Sequence, residues 1–290
     1  MTLAVNAPAT ERSRASASRL VGPVYLAVHS VRPIRERLSP WIRGHREIDA
    51  FSPTGRGLGP KVVLAQAARL RDLQGSTAMI LGVGAAAEAD LLTEVGVEHI
   101  VGTDLETHTT KWRTQRARLA GQGVATTFTL MDGAQLGLAE NSLDLVFSQS
   151  VLEHVVDMGS MLSEARRVLR PDGLFVAWFG PIWTTFGGPH VTELAYDHLL
   201  VDDRELCARA RRVGDGWEHW LENGLFNRFA YQQYLDAFAE HFDIEWLAVA
   251  GSGDGAAYRD EHPAVWERLL ENYTEFDLLT RLVGVVAKPR

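Results

Sequence analysis

From Thr77 to Phe179 the chain alternates short apolar runs with helical segments, and this rhythm limits the available folds more than any other feature. "TAMILGV" (77–83) reads as a buried strand and "AAEADLLTEV" (86–95) as a helix. "HIVGTD" (99–104) is a second strand, followed by a helix over about 107–120 and a third strand, "ATTFTLM" (125–131). "LDLVFSQ" (143–149) is a fourth strand, "MLSEARRVL" (161–169) a helix stopped by Pro171 and Gly173, and "LFVAWF" (174–179) a fifth strand. Strands separated by helices in this way join through right-handed crossovers. The expected fold is therefore α/β, a parallel sheet with helices on both faces.

The pattern on either side is less regular. Residues 1–19 are rich in Ala, Ser and Arg, which predicts a disordered arm. From Leu20 to Arg43 apolar and basic residues alternate around Pro23, Pro33 and Pro40, as in short broken helices, and "KVVLAQAARLRDL" (61–73) has helical spacing. After Phe179, "GPIWTTFGGPH" (180–190) opens about fifty residues of little strand character. Order returns with a helix at 228–242, a strand at 244–251, a polar loop, a helix at 264–276 and a last strand at 281–288. The expected organisation is an arm at 1–19 and one domain over 20–290, with an N-terminal helical cap at 20–75 and a substrate-side insertion at 181–227.

Composition removes several function classes. The net charge is −8, and residues 1–60 hold nine Arg against four acidic residues, so the remainder carries −13. An acidic body argues against a general nucleic-acid binder, and the basic arm reads as a solvated segment or as a contact for an acidic partner or membrane surface. The single cysteine, Cys207, excludes an internal disulfide and a cysteine metal site and suits the cytoplasm. No apolar run approaches the roughly 18 residues of a membrane span, so no integral membrane association is expected. Metal-ligand spacings such as H-E-x-x-H or C-x-x-C are missing, and Asp202-Asp203 reads as a helix cap, so no metal is expected.

In a parallel sheet, ligands bind outside the carboxyl ends of the strands, near the point where strand order reverses. The candidate residues are accordingly those just past each strand. Gly82-Val83-Gly84 would let a ligand approach backbone at a helix start, and Asp104, 22 residues after Gly82, could accept hydrogen bonds from ribose hydroxyls. Asp132 follows the third strand, and Ser148-Gln149-Ser150 end the fourth. The glycine loop alone also matches a dinucleotide fingerprint, which leaves a nicotinamide-dependent oxidoreductase open at this point.

The run "MDGAQLGLAENSLDLVFSQSVLEHVVDMGSMLSEARRVLRPDGLFVAW" resembles the second half of class I S-adenosylmethionine-dependent methyltransferases of the small-molecule group. Asn141-Ser142-Leu143-Asp144, Leu152-Glu153-His154 and the stretch from Arg167 to Gly173 match in order and spacing. The resemblance covers about 60–180 and, more loosely, 228–289. It implies a Rossmann-like, doubly wound, seven-stranded sheet whose last strand is antiparallel, and S-adenosylmethionine as cofactor. By position, Gly82 and Gly84 would flank its methionine part, Asp104 would bind the ribose and Leu105 would lie against the adenine. Asp132 with Gly133 would face the adenine amino group, and Ser148 and Gln149 would sit under the sulfonium and ribose. The chain departs from the family in two places: Ile80 stands where an acid is usual, and Ala86 replaces the third glycine. Glu88 is a candidate substitute for the missing acid. These departures favour an alternative in which the fold binds the cofactor without transferring methyl.

The implied reaction is methyl transfer to a small-molecule acceptor, a hydroxyl of a sugar or secondary metabolite. In-line displacement at a sulfonium carbon needs mainly alignment of the nucleophile, and an alcohol also gains from a base. His190, after the Gly187-Gly188 pair, and His154, after the fourth strand, are the candidate catalytic residues. Trp183, His190 and His198 are the candidate acceptor contacts.

Overall fold

The computed structural model describes residues 48–52, 57–183, 196–213 and 218–290. The expected arm at 1–19, most of the 20–75 cap and His190 lie outside the described residues. The strands are β1 (Ala50–Ser52), β2 (Thr77–Leu81), β3 (His99–Asp104), β4 (Ala125–Leu130), β5 (Leu143–Gln149), β6 (Leu169–Phe179), β7 (Phe242–Gly251) and β8 (Thr280–Pro289). The helices are α1 (Pro60–Leu70), α2 (Ala89–Glu94), α3 (Thr109–Ala120), α4 (Met158–Val168), α5 (Asp203–Val213), α6 (Glu218–Glu222), α7 (Tyr231–His241), α8 (Gly253–Glu261), α9 (Pro263–Leu269) and α10 (Glu275–Leu279).

The strands form one sheet in the order β1-β7-β8-β6-β5-β2-β3-β4. Neighbours from β4 to β6 are parallel, whereas β8 runs antiparallel to β6. The chain leaves β2 toward β3 and β4 on one side and returns to β5 and β6 on the other. Strand order therefore reverses between β2 and β5, which puts a binding crevice at their carboxyl ends. The sheet has eight strands and not the expected seven. The addition is the three-residue β1 beside β7, too short to show a period of two in sequence.

The described chain divides into two compact units. One comprises 57–179, 233–248 and 283–290, and contains the parallel strands. Its central strands are apolar because helices cover both faces: four of the five residues of β2 and six of the seven of β5 are buried, whereas the edge strand β4 buries only Phe128. Helix α4 starts where the Asp157 carboxylate accepts the Ser160 N–H at 3.0 Å, and it buries Met158, Met161, Leu162, Ala165 and Val168 at three- and four-residue steps.

The other unit comprises 180–232 and 249–282 together with the described part of 1–56. Its cores are Ile182, Tyr196, Trp266, Leu269 and Leu278, and Leu206, Ala210, Leu221 and Phe226. Two sequence expectations are corrected here. The polar stretch after β7 is a helix, α8, capped by the Ser252 hydroxyl on the Gly255 N–H. The single helix expected at 264–276 is two, because Thr274 and Asp277 form a reciprocal capping box that starts α10 afresh. Asp202 caps α5 as expected, accepting from the Glu205 N–H at 2.8 Å.

At the amino ends of the strands, Asp144 ties the sheet together. Its carboxylate accepts the Thr77 N–H at 2.9 Å and meets Arg71 and Arg170, each at 2.5 Å. Burial works to raise its pKa, but the bonds from Arg170 and Thr77 and the charges of both arginines outweigh it and hold the carboxyl below its usual range. Asp144→Ala should cost about 2–3 kcal/mol in urea denaturation at neutral pH, since it strands two arginines and a backbone donor. A group with a depressed folded pKa stabilises fully above its unfolded value of about 3.9 and loses that contribution as pH falls. The gap between the native protein and the variant should therefore narrow steadily below about pH 4.

Candidate cofactor site

At the carboxyl end of β2 the chain makes an unusual turn. Gly82 (φ +69°), Gly84 (φ +45°) and Ala86 (φ +63°) are all left-handed. A side chain at Gly82 would strike Val151, whereas nothing lies within 4 Å of where a Cβ on Gly84 would be. Glycine is required at 82 for packing and leaves open space at 84.

Three N–H groups of this loop are engaged within the protein. Val83 donates to Thr103 O at 2.9 Å, Ala86 to Val83 O at 2.7 Å, and Gly84 to Asp104 Oδ2 at 2.7 Å. The other Asp104 oxygen accepts the Glu106 N–H at 3.0 Å. The loop thus offers a ligand room over Gly84, and Asp104 offers a carboxylate fixed at both oxygens with acceptor capacity remaining on each. Sequence reasoning missed two residues that also hold the loop. Trp112 Nε1 donates to Gly84 O at 2.7 Å and Gln115 Nε2 to Ala86 O at 2.9 Å.

The neighbouring strand tips complete the crevice. Leu105 is 58% exposed, as is Leu130 at 54% on the adjoining β4, whose register partner is Asp104. Uncovered apolar surface at two strand tips suits a flat ring. Asp132 is exposed and accepts the Ala134 N–H at 2.9 Å, and Gly133 follows where a Cβ would come within 2.9 Å of Leu81. At the tip of β5, Ser148 Oγ and Gln149 Oε1 are buried without a hydrogen-bond partner. Orphaned polar atoms in a binding crevice fit a polar ligand that would satisfy them. The residues after β5 turn sharply, Ser150 at φ +52°, into a short 3₁₀ turn, Leu152–His154, where His154 is half-buried.

Position 80 is closed to the acid's role, because Ile80 is fully buried in the core. Glu88, at the start of α2, is half-buried, and its pKa is raised by burial and by the nearby charge of Asp104, against a lowering backbone bond. Among the described residues, no group of three or more His, Cys, Asp or Glu could hold a metal ion. No helix there is long and apolar enough to cross a membrane.

The expected acceptor residues fall in the other unit. The backbone of Trp183 ends the turn Pro181–Trp183, and its side chain lies outside the described residues. His198 is fully buried with Nε2 2.8 Å from Ile182 O. Burial first, and then the Arg228 cation, push its pKa to about 3 against the raising effect of the Ile182 contact, so the ring stays neutral at physiological pH. Ile182 is itself left-handed at φ +45°, a costly state for a β-branched residue.

A doubly wound sheet with an open glycine turn, a fixed acid on the next strand and an apolar platform beside it would suit a nucleoside. Comparison with known proteins gives the family. A profile described as "Methyltransferase domain" matches residues 79–177. An uncharacterized methyltransferase of Mycobacterium sp. (strain KMS) is 32% identical over 219 residues, 73% of this chain and 77% of the relative. A malonyl-[acyl-carrier protein] O-methyltransferase of Gallionella capsiferriformans (strain ES-2) is 29% identical over 147 residues, 49% of this chain and 49% of the relative. Among solved structures, an S-adenosylmethionine-dependent methyltransferase from Mesorhizobium loti shares the fold with a TM-score of 0.50 at 22% identity, over 80% of this chain and 99% of that one. The chain belongs to the class I S-adenosylmethionine-dependent methyltransferases. Its cofactor is S-adenosylmethionine, which removes the nicotinamide alternative left open by the glycine loop.

The Glu88–Asp104 coupling is directly measurable. Asp104→Asn should lower the Glu88 pKa in a carbon-detected NMR titration, because a like charge is removed. The value should stay above the ordinary glutamate range, because burial, the larger cause, remains.

Proposed function

We propose that this methyltransferase transfers the methyl group to a hydroxyl of a small molecule, a sugar or secondary metabolite. The observation that supports the site assignment best is the fixed carboxylate of Asp104 beside the open space over Gly84, with orphaned Ser148 and Gln149 atoms at the next strand tip. In this reading Gly82 and Gly84 flank the methionine part, Asp104 takes the ribose hydroxyls and Leu105 supports the adenine. Asp132 and Gly133 face the adenine edge, and Ser148 and Gln149 lie under the sulfonium and ribose. The Gallionella relative, an O-methyltransferase by name, supports oxygen as the methylated atom.

Bound S-adenosylmethionine supplies a methyl carbon already activated by the positive sulfur. The chain's work is then to hold the acceptor in line and to receive its proton. His190, eleven residues beyond the end of β6, is proposed as the base, with His154 as the alternative. Trp183, His190 and His198 belong to the acceptor side, and the buried, neutral His198 acts there by holding the Ile182 backbone.

Two measurements test this reading. Charge-assisted hydrogen bonds of a carboxylate are worth roughly 1.5–3 kcal/mol each, so Asp104→Ala should weaken S-adenosylmethionine binding at least tenfold by calorimetry, with the circular dichroism spectrum retained. Unchanged affinity would remove Asp104 from the cofactor site. General-base help is typically worth about 10²–10⁴ in rate, so His190→Ala should lower single-turnover methyl transfer by at least 10² while cofactor affinity holds. Full activity in that variant would pass the proton to His154 or leave alignment as the whole mechanism.

A further inference from the structure

The glycine loop of this chain contains a residue that does not suit it. Ala86 sits at φ +63°, where a residue with a Cβ is strained by about 1–2 kcal/mol, and its methyl is fully buried in the core. A strained residue persists only where its surroundings over-determine it. Here the surroundings are the Ala86 N–H bond to Val83 O, the core around the methyl, and two side chains of α3, three residues apart and therefore on one face. Trp112 is nearly buried, its ring 6.1 Å from that of Phe128, and it directs Nε1 at the Gly84 carbonyl. Gln115, half-buried, directs Nε2 at the Ala86 carbonyl, while its Oε1 accepts from Arg118 Nε at 3.1 Å.

These bonds act on the ligand side of the loop. With both carbonyls held by α3, neither turns toward the space over Gly84. Gly84 is also fixed on its amino side, because its N–H holds Asp104 Oδ2. Trp112, Gly84 and Asp104 are thus linked in series, and the placement of the carboxylate depends on the indole N–H.

We propose that Trp112 and Gln115 are positioning residues for cofactor binding, clamping the 82–86 loop in the left-handed form that Ala86 would otherwise leave. The proposal rests on the reading of this loop as part of the cofactor site. It assigns to α3 the role that a third glycine would fill by its own conformational freedom.

The test is a pair of double-mutant cycles read by calorimetry and by amide hydrogen exchange. Gln115→Leu should weaken S-adenosylmethionine binding about fivefold in the native background, the size of one lost hydrogen bond. In an Ala86→Gly background, where the left-handed form needs no clamp, the same substitution should cost less than twofold. Trp112→Phe, which keeps the ring and loses the N–H, should weaken binding similarly but add little once Asp104→Ala is present. Without any ligand, Gln115→Leu should speed exchange at the Ala86 amide severalfold.

Equal Gln115→Leu penalties in the native and Ala86→Gly backgrounds would overturn the clamp, as would unchanged exchange. An additive Trp112→Phe effect would overturn the series link to Asp104. If the native protein did not bind S-adenosylmethionine while the exchange rates moved as expected, the cofactor reading would fall and the clamp would stand.

Discussion

The hydrogen bond from the Gly84 N–H to the Asp104 carboxylate is the constraint on which the site depends. It joins the turn after β2 to the tip of β3, the two strand ends beside the reversal of strand order. Without it, the turn would still meet β3 through the Val83 N–H on Thr103 O, and Asp104 would still accept the Glu106 N–H, but nothing would tie the acid to Gly84. With it, they form one rigid edge, and a carboxylate fixed before a ligand arrives loses less freedom on binding. The same bond removes a donor that a phosphate-binding loop would present. The edge consequently suits a ligand with hydroxyls and an apolar ring, in keeping with a nucleoside that carries no phosphate.

The central strands β2 and β5 were legible because each is buried on both faces, and an apolar run of five to seven residues between helical segments has few other readings, while the edge strand β4 buries only Phe128. Asp104 and the β5 tip followed from that topology, since ligands gather where the strands end. The long family run is largely structural in its chemistry. Asp144 gathers two arginines at the amino ends of the sheet, and Arg167 donates to the carbonyls of Leu136 and Leu138, both at 2.9 Å, to fix the loop before β5. That explains why the run specified the fold so well while saying little about the acceptor.

What the sequence hid has physical reasons. Strand β1 has three residues, too few for a period. Helix α8 begins "GDGAAYRDE", where two glycines argue against the helix that the Ser252 cap nevertheless starts. Trp112 and Gln115 lie 28 and 29 residues from the carbonyls they hold, so no local pattern connects them to the loop. One signal was present: Trp112 and Leu119 are the two large apolar residues in the polar stretch "TTKWRTQRARLA", with Gln115 one helical turn beyond the tryptophan. A buried face that narrow is matched to a particular contact and not to a broad core.

The two departures from the family pattern have a common physical basis. Ile80 and Ala86 are both fully buried and belong to one apolar cluster, beneath the turn that separates them. Replacing an acid with Ile80 removes a polar group from that cluster, and placing a methyl at 86 fills space that a glycine would leave. Both changes hold the turn from below by apolar contact. Their cost is a strained φ at Ala86 and the loss of a negative charge beneath the turn. The donors of α3 meet the first cost. Glu88 stands nearest to the second, at the start of α2 beside Asp104, where burial and the neighbouring acid make its carboxylate harder to form. A positive charge beside Glu88 would offset the effect of the neighbouring acid, though not that of burial.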